Sequence, residues 1–509
     1  MRATPLLLLA LSALSSCSSP WGSLRERSSQ CTAGRRDCDG DPANGCEVDT
    51  DTSREHCGAC ARRATVACVQ GRPLDVRSIT GASATVCATV SGDSLGGLRC
   101  WGSNTQNQVS PDPPATARAT PTDPMPTEST EIHSLAVGDG FGCAIRGPSR
   151  VLRCWGDGVR SLVGDARASL DSVVGARAVV AGARHACVAV LNPANDRSVI
   201  QCFGDNDRGQ LGGERSPTSP LVAVKGASGS AIALDRFAGL VAGSSHACAY
   251  NDSQILCWGA NDEGQLGRGP RPGISASAAA SVAFSDNFDV VVHDLAAAGE
   301  TTCAVISSAR SVRDAGVMLD ATSDVTQPSD ASPDAMDAMD ASAEAGSSLT
   351  ACNADQNAQR RVVCWGSLAR ASVCANRTVG AARTESGAPL EDVERVFVGA
   401  RHACAIQRSG AVFCWGDDAD GRLAGATTRG AMVAVPIESL RSARALAISG
   451  AGNVLPASAR SADREAFCAL FDEASTSARV RCWGPNTSGQ LGDSTLTSER
   501  GLMPSDVRW

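Results

Sequence analysis

Tyrosine is nearly missing from these 509 residues: Tyr250 stands alone beside eight tryptophans and nine phenylalanines, and aromatics reach only 4%. Lysine is equally scarce, with Lys225 the one lysine among 46 basic residues, a bias that reflects genome composition rather than guanidinium chemistry. Charged residues make up 20% of the chain and the net charge is −8. That balance argues against nucleic acid as a partner, because binding it needs a basic footprint. Past the N-terminus no apolar run approaches the roughly 20 residues that a spanning helix requires. Catalytic groupings are lacking too. The six histidines form no Ser/His/Asp set, no paired carboxylates stand out, and the S-x-D-x-G-x-T-W box of sialidases is absent. No cofactor or metal is expected from the sequence, and the chain is expected not to be an enzyme.

What the chain has in quantity is glycine, 51 copies, and cysteine, 23 copies. So much cysteine points to an oxidising compartment. The N-terminus agrees. Arg2 precedes the apolar run Pro5 to Leu14, which has the length of a signal-peptide core. Leu14-Ser15-Ser16-Cys17 resembles a bacterial lipobox, which implies a signal peptide over 1–16, lipidation of Cys17 and a polar tether over 17–30. Ordinary signal-peptidase cleavage nearby is the rival reading and would leave Cys17 incidental. Ser18 and Ser19 carry no Asp-type retention signal of that family, so the expected location is extracytoplasmic, on the outer membrane or cell surface.

Residues 31–70 form a cysteine-rich module with Cys31, Cys38, Cys46, Cys57, Cys60 and Cys68. So short a segment builds no adequate core, so three disulfides are expected, and sequence leaves all fifteen pairings open. Cys57-Gly-Ala-Cys60 has the spacing of a redox pair, but no strand–helix pattern surrounds it. Asp37, Asp39 and Asp41 alternate as in a calcium loop; Cys38 intervenes, and no bidentate Glu follows at loop spacing, so a solvated acidic turn is the default.

From residue 72 to 509 the chain repeats itself. Cys-Trp-Gly or a close variant recurs seven times, carrying Trp101, Trp155, Phe203, Trp258, Trp365, Trp415 and Trp483. Each triplet has a second cysteine upstream. The expected pairs are Cys87 with Cys100, Cys143 with Cys154, Cys187 with Cys202, and Cys248 with Cys257. Cys303 with Cys364, Cys404 with Cys414, and Cys468 with Cys482 complete the set. The register follows from two units. Opposing Cys248 with Cys257 leaves Asp252-Ser253 as a two-residue hairpin turn. Opposing Cys404 with Cys414 leaves Arg408-Ser409-Gly410, a three-residue loop with glycine at the left-handed position. Two loop lengths thus give one pairing. Opposed residues on antiparallel strands sit about 4.5–5.5 Å apart, within disulfide reach. Each such staple contributes about 2–3 kcal/mol by the chain-entropy model. One rung on, alanine opposes tryptophan, so the indoles are expected to fill space between sheets.

His185, His246 and His402 share the slot G-x-x-H-x-C and lie on the same strand face as the cysteine two residues later. Zinc would need four converging ligands, and these three stand in separate units with the thiols already committed. A structural, hydrogen-bonding role is expected for them. After the triplet, units three, four and seven continue into Asn206 to Gly212, Asn261 to Gly267 and Asn486 to Gly492, each ending in G-Q-L-G.

Together, G-x-x-H-x-C and C-W-G-x-N-x-x-G-Q-L-G resemble the regulator-of-chromosome-condensation (RCC1) repeat over nearly all of 72–509. Units three and four carry both halves (with Phe203 for tryptophan), and units two and five are degenerate. The resemblance implies an all-β fold, a seven-bladed β-propeller of four-stranded antiparallel blades. We expect strands from both chain ends to complete one blade. Residues 307–360, rich in Asp, Ala and Ser, fall within the hairpin of unit five and read as a disordered acidic insertion. Pro/Thr-rich and Gly/Ala-rich stretches at 110–130 and 452–462 mark two further loops. Cys352 and Cys374 lie outside the pattern and are available to pair with each other.

For function, a rigid disc with variable loops points to a monomeric protein-binding or adhesion scaffold with an unknown partner at the cell surface. The family includes a secreted bacterial inhibitor of β-lactamase, none of whose contact residues can be matched here. Guanine-nucleotide exchange, the activity of the family's eponymous member, has no substrate outside the cytoplasm. An extracytoplasmic propeller hydrolase or lyase is the remaining alternative.

Overall fold

Short segments rich in Val, Ala and Cys, several of them buried along their whole length, build strands that pair antiparallel, except where Arg383–Thr384 lies parallel to Val433–Pro436, throughout the computed structural model. It describes residues 31–509 except 42–44, 54, 62–66, 70–71, 92–96, 112–115, 127–130, 165–166, 215–218, 269–275, 283–289, 309–359, 369–379, 401, 417–432, 449–465 and 472–479. The chain divides into two compact units, Met1–Asp75 and Val76–Trp509.

In the first unit, Arg35–Arg36 pairs antiparallel with Val48–Asp49. Three disulfides join Cys31 to Cys46, Cys38 to Cys60 and Cys57 to Cys68. Among its described residues, Cys57 and Cys68 form the buried cluster. Crosslinks therefore take the place of a core.

The second unit is a propeller of seven consecutive blades. Blade four shows the pattern, with strands Gly239–Ala242, His246–Tyr250, Ile255–Gly259 and Ala276–Ser281 in sequential order from the axis outward. Its hairpin register pairs Cys248 with Cys257 and Tyr250 with Ile255, and the Asn251 amide donates to the Gln254 carbonyl across Asp252-Ser253. In blade six Cys404 faces Cys414, Ala403 faces Trp415, and Gly410 takes a left-handed φ of 79°. Blade two departs from the plan. It has three strands, and the short helices Asp157–Val163 and Arg167–Asp171 follow where a fourth strand is expected.

Ring closure also differs from expectation. Each blade consists of its own contiguous segment, and Thr497–Asp506 is the outer strand of blade seven, next to Val480–Asn486. The ends meet through side chains and turns instead. Trp101 of blade one donates its indole N–H to the Gln490 carbonyl of blade seven at 3.0 Å, and Trp509 packs edge-on against Trp101 at 5.8 Å. Arg444 donates to the Val76 carbonyl at 2.6 Å. A tryptophan-filled interface closes the ring without a shared sheet.

In blade five the second strand runs to Ser308 and the third begins at Arg361, so Ser307 and Ser308, expected within the insertion, extend the ladder opposite Val291 and Val290. Among the described residues, five innermost strands carry a register shift at one equivalent place. The extra residue is His133, Arg177, His293, Glu394 or Arg444. Such bulges bend a strand and re-aim the residues beside them.

Candidate functional site

The expected cysteine partners all face each other inside one blade, with Cα–Cα distances of 4.0–4.1 Å. That is the close spacing of a non-hydrogen-bonded antiparallel pair. All fourteen sulfur-bearing residues are buried, at 1% exposure or less. Cys17, Cys352 and Cys374 lie outside the described residues, as do positions 309–359 of the acidic insertion.

Tryptophan does more than fill volume. Trp155 of blade two donates Nε1–H to the Gln108 carbonyl at 2.8 Å, Trp258 of blade four to Gln210 at 3.1 Å, and Trp365 of blade five to Gln265 at 2.8 Å. Each acceptor sits in the turn of the preceding blade. Those turns are held by their asparagine, whose side-chain oxygen accepts the amide of the residue after glutamine: Asn206 from Leu211, Asn261 from Leu266, Asn486 from Leu491. Blade one carries the same device unannounced. Asn104 accepts from Val109 at 2.8 Å, and Asn107 takes glycine's left-handed place with φ 56°. Asparagine tolerates that conformation better than other non-glycine residues. The shared Asn-x-x-x-Gln spacing was the signal for it.

The relay explains Phe203. Blade two has helix Asp157–Val163 after its triplet instead of a glutamine turn, and its Val159 shares a buried cluster with Phe203 of blade three. An indole there would bring a buried N–H where the preceding blade offers no turn carbonyl. Trp258→Phe is therefore expected to lower stability by about 2–4 kcal/mol, through a lost hydrogen bond and an unfilled volume. Phe203→Trp is also expected to destabilise, by about 1–3 kcal/mol, from overpacking and an unsatisfied donor. Urea unfolding of both variants checks this, and a stabilised Phe203→Trp protein would break the relay.

All three motif histidines are fully buried. His246 Nε2 lies 2.8 Å from the Thr302 hydroxyl of blade five. That hydroxyl donates to the Gln265 carbonyl at 3.2 Å, so the imidazole supplies the proton of the first bond. His185 differs from the expected role: neither ring nitrogen has a hydrogen-bond partner among the described residues. The reason lies in the next blade, where Ala247 occupies the position of Thr302. His402 meets Phe467 there, ring centroids 4.3 Å apart. Burial pushes His185 down to about 4 and His246 to about 3.

Along the axis, the innermost strands of all seven blades line a channel enclosing about 300 Å³. Its charged lining residues are Asp294 of blade five and Arg395 of blade six, each the residue just past a bulge. Asp294 accepts the Val396 amide at 2.9 Å, and burial holds its carboxyl above the ordinary range. Nothing in the sequence marked either residue.

In the first unit, Asp37, Asp39 and Glu47 bring one carboxylate oxygen each to within 4.8 Å of one another. Glu47 replaces Asp41 in the set expected from sequence, because the Cys31–Cys46 disulfide and the two-strand ladder fold it back onto Cys38, whose amide it accepts at 2.7 Å.

Residues 393–422 match the family model described as the regulator of chromosome condensation (RCC1) repeat. No curated protein matches the chain. Among solved structures, human WBSCR16 superposes with a TM-score of 0.51 at 14% identity, over 80% of this chain and 93% of that one. Prp20p of Saccharomyces cerevisiae, described with its binding to Gsp1p and histones, gives 0.46 at 13% identity over 73% and 80%. The ectodomain of the Arabidopsis thaliana receptor kinase ACR4 gives 0.39 at 17% over 83% and 99%. A seven-bladed propeller with this repeat suggests a protein-binding scaffold. Its many disulfides suit an extracytoplasmic compartment. Among the described residues, no helix is long and apolar enough to cross a membrane.

Proposed function

We propose that this protein is a cell-surface scaffold, anchored through a lipid on Cys17, that binds another protein with one end of its propeller. The observation that carries this is the contrast between the two ends of the blades. At one end the G-x-x-H loops and glutamine turns repeat, and backbone bonds tie neighbouring blades together: Asp139 donates to the Ala183 carbonyl, Ala183 to Ser244 and Ser244 to Gly299, at 2.8–3.1 Å. At the other end the hairpin connections vary freely. They run from Asp252-Ser253 in blade four, through 193–196 in blade three, to a stretch of more than fifty residues between Thr301–Ser308 and Arg361–Gly366 in blade five. Variable loops on an invariant frame are where recognition residues accumulate. Stapled hairpins fix the loop bases, which lowers the ordering cost of binding.

The test is capture on the intact cell surface with the purified, oxidised chain, repeated with the blade-five and blade-seven hairpins shortened to the two-residue turn of blade four. One stoichiometric protein partner, lost in the shortened variant, is expected. Retention of that partner by the shortened variant, or turnover of a glycan or ester substrate, would overturn the reading. Replacing Cys17 with serine is expected to release the protein from the membrane fraction.

A further inference from the structure

His185, His246 and His402 fill the same slot at three blade seams, all fully buried, but their surroundings differ. Between blades four and five, His246 donates to the Thr302 hydroxyl at 2.8 Å. Between blades six and seven, His402 packs on the Phe467 ring at 4.3 Å. Between blades three and four, His185 faces Ala247, and neither ring nitrogen has a partner among the described residues. A protonated imidazole donates from both nitrogens. Around His185, Asp205 is bonded to Arg184 at 2.6 Å, with Asp139 and Asp207 beside that arginine. Across the seam stand the Arg208–Asp262 pair and His246, itself buried and neutral. None of these groups reaches a ring nitrogen of His185, so it can take up a proton only where water enters. Little bars the way. The loop 182–185 is tied to blade four by the Ala183 amide on the Ser244 carbonyl at 3.1 Å, and the nearby turn by the Trp258 indole on the Gln210 carbonyl at 3.1 Å. The exposed Arg208–Asp262 pair adds little to these. Leu211, Leu240, Ala249 and Trp258 share a buried cluster that holds the rest of the seam.

We infer that this edge is an acid-sensitive latch: as pH falls, the loop 182–185 lifts from Ser244, water reaches His185, and the proton it takes up holds the edge open while the rest of the ring stays folded. The direction follows from burial. Closed, the imidazole is lowered to about 4 and stays neutral; open, it takes up a proton below about 6.5, so acid favours the open form. The edge at His246 feels the same pull but must also break the bond to Thr302, so it opens less readily. The latch lies at the end of the blades away from the variable hairpins, and it holds or fails independently of the scaffold reading.

The test is site-resolved hydrogen exchange of the full oxidised chain at pH 7 and pH 5, corrected for intrinsic exchange rates. The Ala183 amide, bonded to Ser244, reports this edge, and the Ser244 amide, bonded to Gly299, reports the next one. Opening at Ala183 is expected to rise about twentyfold at pH 5, the factor for a group that titrates near 6.5 when open and at about 4 when closed. Ser244 is expected to stay better protected at both pH values. His185→Phe is expected to abolish the rise at Ala183. Ala247→Thr copies the hydroxyl that blade five carries at this position, and is expected to raise the protection of Ala183 at pH 5. A pH-independent opening at Ala183, equal protection of Ala183 and Ser244, a rise that survives His185→Phe, or no gain from Ala247→Thr would each overturn the proposal. The comparison of the two amides uses the unaltered protein, so a variant that fails to fold leaves the test intact.

Discussion

Replacing Gly259 with alanine is expected to cost about 3–5 kcal/mol, enough to unfold blade four under mild denaturant. The glycine of every triplet has a positive φ, from 89° to 116° across Gly102, Gly156, Gly204, Gly259, Gly366, Gly416 and Gly484. At Gly259 a Cβ would lie 2.5 Å from the Ser245 carbonyl oxygen and 2.8 Å from the His246 Cα, both backbone atoms that cannot swing aside. The slot exists because the G-x-x-H loop folds directly over the end of the third strand, where His246 pairs with Gly259. Gly264, in the turn that follows, separates the two contributions. Its φ is 80°, but a methyl group added there would meet nothing within 4 Å. Gly264→Ala is therefore expected to cost only about 1–2 kcal/mol, the backbone strain alone. Urea midpoints for the two variants check the difference; equal losses would mean that close approach is not what reserves the triplet position for glycine.

Acid is expected to destabilise the propeller as pH falls from 6.5 towards 4, a loss that begins above the range where carboxylates titrate. Burial, the main cause, lowers His185 from 6.5 to about 4 and His246 to about 3. In the folded protein both stay neutral as pH falls through 6.5, while in the unfolded chain both take up protons. Unfolding thus binds protons in this window, and stability drops as pH drops. The full benefit is present above pH 6.5 and is lost progressively towards the folded values. His185 alone corresponds to about 3 kcal/mol, and His246 adds at least as much, against a typical total of about 5–15 kcal/mol. Asp294 works in the opposite sense, since its raised value favours the folded state at low pH, but it is one group against these two and His293, which burial also lowers to about 4. Unfolding midpoints measured from pH 7 to pH 4 should fall steeply in the parent and less so in His185→Phe. A flat profile would place these imidazoles in water.

The blade count, the strand alternation and the all-β class were legible because each depends on a short, local and repeated pattern. Cys-Trp-Gly carries a staple, an interblade indole and a left-handed glycine in three consecutive residues, so one triplet reports three constraints. Blade one's turn escaped notice because Asn107 and Val109 stand in for glycine and leucine, although the spacing from Asn104 to Gln108 is kept. The helices of blade two were hidden because Gly156-Asp157-Gly158 gives no strand or turn signal of the family kind. Ring closure by Trp101, Gln490 and Trp509 joins the two ends of the propeller segment, a contact no local pattern encodes. The channel charges were out of reach for the same reason. Asp294 and Arg395 become neighbours only when two blades stand side by side, and a bulge that shifts each strand by one residue inverts the face that alternation alone would assign.

Every spoke of the ring is locked by its own sulfur bridge, and peptide mapping of the oxidised chain under non-reducing conditions tests that most directly. Mass spectrometry should recover seven crosslinked pairs, each joining the cysteine of a Cys-Trp-Gly or Cys-Phe-Gly peptide to the cysteine upstream in the same repeat, Cys303 with Cys364 among them despite the long stretch between. Free thiols beside the tryptophans, or bridges between different repeats, would contradict it.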